Sequence, residues 1–209
     1  MKKTLAVFVM AVLAGVCISI GGTVSLSSDN KYAGAFMFSL GLLTILSFGF
    51  NLFTGKVGYL LENKPSYLGE LALIWLGNLA GTGISALLIR FTRVYQPLHE
   101  KVSGMVAAKT ADTLQSLFIL GIGCGLCMFI AVNSYKTQEG FLKVLLVVLP
   151  VMVFIISGFE HCIADMFYFW LAGEISPDAL LRVAIISLGN SVGALIIPAA
   201  KLIRTDNKH

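Results

Sequence analysis

Six apolar runs dominate the chain, at about residues 5–26, 33–61, 68–91, 114–135, 141–172 and 179–203, with short polar connections except for the stretch from Thr92 to Thr113. In hydrocarbon every backbone N–H and C=O must be satisfied within the chain, so runs of this length fold as helices. About 20 residues cross a core about 30 Å thick. Of 209 residues 57% are hydrophobic and 12% charged, and the mean hydropathy is +0.87. That balance belongs to an integral membrane protein, and six spans leave no length for a soluble catalytic domain. The expected architecture is all-α, one transmembrane domain over 1–209, with lipid as its solvent. The formal charge of +4 is dispersed over connections and ends without a dense basic run, which argues against a nucleic-acid partner.

Within the six runs lies an internal repeat. "GVC" at Gly15 to Cys17 returns as "GLC" at Gly125 to Cys127, an offset of 110; "GFNLFT" from Gly49 returns as "GFEHCI" from Gly158, an offset of 109; "LGNLAG" from Leu76 returns as "LGNSVG" from Leu188, an offset of 112. Repeat one covers about 1–91 and repeat two about 110–209. Three spans per repeat is an odd number, so the second copy enters the membrane from the opposite side. Inverted repeats of this kind place a transport site near the midplane, between interrupted helices.

The second and fifth runs are about 29 and 32 residues long, too long for one straight span, and each carries a polar break at the equivalent point, "GFNLFTGK" and "SGFEHC". Freed backbone groups at membrane depth must line a cavity or be buried in protein. Half-helix N-termini at a break point N–H groups inward, which suits a small anion. The second break also sets Glu160, His161 and Asp165 inside an apolar stretch, where each ionisable side chain costs roughly 2.5 to 3.5 kcal/mol on insertion scales unless it faces protein or water. Imidazole exchanges a proton near neutral pH, so His161 is the candidate proton donor and acceptor, or a switchable positive partner, for an anion. Glu160 beside it is read as orienting the ring or capping a half-helix. Asn78 and Asn190, at matching repeat positions, are expected to bond the backbone freed by the breaks.

The opening "MKKTLAVFVMAVLAGVC" has the layout of a secretory leader, but its apolar run continues to Leu26 and the segment has a repeat counterpart, so it is read as the first span. Cys124 and Cys127 form C-x-x-C in mid-span without a second pair, and Cys17 and Cys162 also lie within spans; neither a disulfide framework nor a metal site is expected. No cofactor is expected either. Gly77, Gly81, Gly189 and Gly193 recur at four-residue spacing, a pattern of close helix packing.

"NLFTG" (51–55), "GFEHCIADMF" (158–167) and "LGNSVGALIIP" (188–198), with "AGVCISIGG" in the first run, resemble the signatures of the formate/nitrite transporter family, in order and over nearly the whole chain. The resemblance implies an aquaporin-like protomer in a homopentamer, each protomer with its own pore for formate, nitrite, hydrosulfide or a similar small monovalent anion. It implies that His161 is the central pore histidine and Thr54 the threonine facing it. Phe38, Leu42 and Phe154 then stand at apolar constrictions, and Lys109 stands near the basic residue before the fourth span. The chain departs from the family's usual pattern at Asn51, where an acidic residue is common and a supporting role is expected, and at Asp165, where asparagine is common.

A bare anion passing an apolar constriction pays a large desolvation cost and the neutral acid pays far less, so the partners are a small anion and protons. Two other readings differ in class. A neutral-solute pore of the aquaporin type uses paired N-P-A boxes, and neither break contains proline; an intramembrane enzyme with His161 as base lacks a serine or metal-ligand set to accompany it. With six spans, Lys2, Lys3, Lys64, Lys136, Lys143, Lys201, Arg204 and Lys208 share the side of the termini, which the positive-inside rule puts in the cytoplasm of a cell membrane. Lys109 then lies at the outer mouth, enriching anions. Lys56 and Asp165, opposite in sign and 109 apart, occupy equivalent positions beyond the two breaks and are expected to pair across the pseudo-two-fold axis.

Overall fold

The structure is a computed structural model that describes residues 2–206, with side chains described as far as residue 203. Of the charges counted above, Lys208 lies outside the described residues, as does the side chain of Arg204. Nine α-helices follow one another among the described residues: α1 (Lys2–Ser27), α2 (Lys31–Phe48), α3 (Phe53–Lys56, continued by a 3-10 turn over Val57–Glu62), α4 (Tyr67–Arg90), α5 (Tyr95–Ala111), α6 (Leu114–Thr137), α7 (Gly140–Ser157), α8 (Cys162–Ala172) and α9 (Pro177–Asp206). Six of them are long and apolar enough to cross a membrane: α1, α2, α4, α6, α7 and α9. The interruptions fall where the two overlong runs require them, between α2 and α3 and between α7 and α8.

Each first half-helix stops on a glycine in the left-handed region, Gly49 at φ 71° and Gly158 at φ 72°. A left-handed C-terminal residue ends a helix cheaply only when it lacks a Cβ. At the other ends, side chains supply what the backbone lacks. Asn30 starts α2 by accepting from the N–H groups of Tyr32 and Ala33, and Thr113 starts α6 by accepting from that of Ser116.

The repeat is visible as packing. α1 lies along α4, and α6 lies along α9. A Cβ on Gly81 would collide with the Val12 carbonyl, and one on the repeat-equivalent Gly193 with the Ile122 carbonyl, so glycine lets both helix pairs approach backbone to backbone. α1 buries Ala11, Ala14, Gly15 and Ile18 in this contact, which is the behaviour of a span at the centre of the fold. The Thr92–Thr113 stretch is not an open connection. It holds α5, whose apolar face of Leu98, Val102 and Val106 is buried and which packs on α8 and α1.

Candidate anion pathway

Two asparagines hold the breaks together, with the same three bonds each. Asn78 Oδ1 accepts from the Phe53 N–H at 2.9 Å, while its Nδ2 donates to the carbonyls of Ala11 (2.7 Å) and Asn51 (2.9 Å). Asn190 Oδ1 accepts from the Cys162 N–H at 2.9 Å, and its Nδ2 donates to the carbonyls of Gly121 (2.8 Å) and Glu160 (2.7 Å). Partner for partner, the two sets are related by the repeat. Both asparagines are 0% exposed, so each amide replaces water for backbone groups that the breaks set free. Asn51 supports the first break through its backbone N–H to the Met10 carbonyl and its Nδ2 to the Val7 carbonyl. The N–H groups at the head of α8 are largely spent within the protein: Cys162 on Asn190, Ala164 on the His161 ring and Asp165 on the His161 carbonyl. Side chains, more than open backbone donors, therefore face the path.

His161 is the N-cap of α8, and its Nδ1 accepts from the Ala164 N–H at 3.2 Å. An acceptor at Nδ1 leaves the proton of a neutral ring on Nε2. That nitrogen lies 2.9 Å from Thr54 Oγ1 of the first break, so Nε2–H donates and the threonine hydroxyl keeps its own proton for another acceptor. The predicted pairing of His161 with Thr54 is formed, across 107 residues of sequence and between the two repeats. Around it stand Phe154, stacked on the imidazole at 5.6 Å between centroids, and Phe38, edge-on to Phe154 at 5.9 Å. Phe38, Leu42, Thr54, Phe154 and His161 are each no more than 3% exposed.

Two cavities approach this knot from opposite faces. A chamber of about 510 Å³ opens beside the α1–α2 connection and is lined by Asp29, Lys31, Phe38, Phe154, His161 and Asp165 among others. A second, of about 310 Å³, opens beside the α6–α7 connection and is lined by Leu42, Leu52, Gly55, Lys56, Lys136 and Lys143 among others. No residue lines both. At the rim of the first chamber, Lys101 donates to Asp29 at 2.9 Å and holds that exposed carboxyl below the ordinary aspartate range.

Three expectations are corrected by the charges. Asp165 does not pair with Lys56. It is 2.9 Å from Lys109, whereas Lys56 lines the opposite cavity, because equivalent positions of an inverted repeat face opposite sides. Lys109 is not an exposed charge at a mouth, for its side chain is 12% exposed and is bound by both Glu160 and Asp165. Glu160 does not orient the imidazole, since its carboxylate is taken by Lys109 and only its backbone serves the break. Sequence reasoning missed that Lys136 and Lys143 belong to the second cavity, their ammonium groups 3.6 Å above the Tyr59 ring and 3.9 Å above the Tyr135 ring. The signal was present in part, as two lysines flanking one connection with Tyr135 beside it; Tyr59, under Lys136, lies 77 residues upstream.

Comparison with known proteins agrees with this geometry. The family model described as formate/nitrite transporter matches residues 1–203. The formate channel FocA of Escherichia coli (strain K12) is 29% identical over 238 aligned positions, covering 92% of this chain and 83% of FocA. A solved pentameric formate channel with formate bound superposes with a TM-score of 0.82 at 25% identity, covering 98% of each chain. A second solved structure, an FNT family ion channel, shares the fold with a TM-score of 0.84 at 22% identity, covering 94% of this chain and 88% of that one.

Proposed function

The chain belongs to the formate/nitrite transporter family, and from that premise we propose that it carries formate or nitrite, and next to these hydrosulfide, past His161 as the protonated acid, in a homopentamer whose protomers each hold one path. Transport of small anions across a membrane, not catalysis, is the family's activity. The pentameric formate channel that overlays this chain supports the assembly and the choice of formate. The observation that carries the proposal is the buried contact between His161 Nε2 and Thr54 Oγ1, which stands where the two cavities converge.

The chemistry follows from what lies on either side of that contact. An anion in the wide chamber keeps its water; at Phe38 and Phe154 it must shed it. The Thr54 O–H and the imidazole Nε2–H are the polar groups offered at that point. The anion accepts from both groups and takes up a proton from chamber water at that point, moving on as the neutral acid while the imidazole stays neutral. Because the ring takes up no second proton, Nδ1 stays free to cap α8. The reverse transfer on the far side returns the anion to solution. The lysine distribution supports cytoplasmic termini, which puts the Lys56, Lys136 and Lys143 cavity on the cytoplasmic side of a cell membrane.

Flux of formate, nitrite and hydrosulfide through purified protein in liposomes, with and without a pH gradient, tests the reading. Replacing His161 by Ala or Phe is expected to lower flux by about 10²-fold, the low end for a positioned acid–base group, and to flatten its pH dependence. Unchanged rate, selectivity and pH profile in a pentameric variant would refute it.

A further inference from the structure

The chamber on the α1–α2 side holds an ion cluster whose charges do not balance. Lys109 donates to Glu160 Oε2 and, at 2.9 Å, to Asp165 Oδ1, and the three side chains are 12%, 8% and 2% exposed. The lysine is delivered there by a fixed helix end, because Arg182 Nη1 donates to the carbonyls of Lys109 (3.0 Å) and Asp112 (2.7 Å). One ammonium thus faces two carboxylates. The remaining oxygen of the aspartate, Asp165 Oδ2, is buried and has no hydrogen-bond partner among the described residues. A naked anionic oxygen at such burial is costly, and a proton on it relieves both the burial and the repulsion of a neighbouring carboxylate.

Among the described residues the neighbours offer no other neutralisation. His161, at the head of the same helix, has Nδ1 occupied by the Ala164 N–H. Tyr168 of α8, Cys162 of α8 and Cys124 of α6 also lie within electrostatic reach of Asp165, and none of them is a cation. Of the further lysines on this side, Lys31 donates to the Ile156 carbonyl and Lys101 to Asp29.

We infer that Asp165 holds a proton on Oδ2 beside the ionised Glu160–Lys109 contact, and that this proton sets the charge of the chamber through which the anion reaches His161. The inference rests on the anion-path reading for its consequence, though not for the proton itself. With the proton in place the cluster is neutral: Oδ1 accepts from Lys109 and Oδ2–H is a donor in the lining that also holds His161 and Ala164. Without it the cluster carries one negative charge in the path of an anion. The charged form appears when the proton is lost, so the chamber admits anions while the proton is held and repels them once it has gone. Asp165→Asn places a carbonyl where Oδ1 stands and a permanent N–H donor where Oδ2–H stands, reproducing the protonated form without titration.

Two readouts test it. Infrared difference spectra of the purified protein at neutral pH, with deuterium exchange, are expected to show a carboxylic-acid C=O band that is lost in Asp165→Asn and also in Glu160→Gln, since one ammonium then meets one carboxylate. No such band in the unmodified protein, or a band that survives in either variant, overturns the inference. In liposomes, formate uptake from the chamber side is expected to fall relative to Asp165→Asn by about ten-fold per pH unit above the release of the proton, as a single titration requires. A constant ratio of the two uptakes across the alkaline range overturns the chamber's role. If no anion moves through the unmodified protein at any pH, the transport reading fails while the infrared band still decides the proton.

Discussion

The imidazole of His161 is held by two hydrogen bonds of opposite sense, accepting at Nδ1 from Ala164 and donating at Nε2 to Thr54. That asymmetry leaves Nε2–H as the ring's donor toward the path and ties it to the first repeat. Thr54→Val keeps the shape of the side chain while removing the oxygen. It is expected to destabilise the protein by about 1 to 3 kcal/mol, the cost of leaving the buried Nε2–H without its acceptor, and to lower flux less than His161→Ala does; thermal unfolding and liposome flux measured together check both. Thr54 and His161 were legible as a pair because each stands in a break motif. Lys109 was not legible as the partner of Asp165. The two are 56 apart in sequence, and their meeting depends on α5 folding back onto α8, which no local pattern announces. The offset that aligns Lys56 with Asp165 is real, but inversion turns equivalent positions toward opposite faces, so the alignment argued for a contact that the fold forbids.

At the scale of elements, the breaks depend on Asn78 and Asn190 rather than on any propensity of the half-helices. α3 is only four residues long and would not persist in isolation. Asn190→Ala is expected to orphan the Cys162 N–H and the Gly121 and Glu160 carbonyls, at about 1 to 3 kcal/mol for each buried group left unpaired. Asn78→Ala should cost a similar amount, and the midpoint of unfolding in detergent measures both. Asn190→Asp, which keeps the acceptor but sets a carboxyl oxygen against the Gly121 and Glu160 carbonyls, is expected to cost at least as much as Asn190→Ala. The positions of both breaks, the closely packed glycines and these asparagines could be read from repetition alone, because each answers a backbone requirement that recurs in both copies. The half-helix N-termini were expected to present open N–H groups; the structure spends them on Asn190 and His161, and only side-chain geometry could have told that.

For the whole molecule, inversion produces two unlike cavities from two like repeats. One is lined by Lys56, Lys136 and Lys143, and the other meets the Lys109, Glu160 and Asp165 cluster. Lysines held over tyrosine rings set ammonium groups at the wall of the second cavity, where positive charge attracts anions. Lys136→Gln with Lys143→Gln is therefore expected to reduce uptake from that side at low ionic strength and to have little effect at high salt, where the field is screened within about 10 Å at 0.1 M; uptake at two salt concentrations decides it. Many large apolar side chains remain exposed on the single chain, Phe36, Leu76, Leu87 and Leu88 among them, a surface suited to lipid and to the neighbours of the proposed pentamer. The central claim is that the anion crosses the constriction together with a proton taken at His161. Formate uptake into liposomes driven separately by a pH gradient and by a membrane potential tests it most directly. The account predicts uptake that follows the pH gradient, with matching proton entry and little response to the potential, and loss of that uptake in His161→Ala. Uptake that follows the potential with no accompanying proton would contradict it.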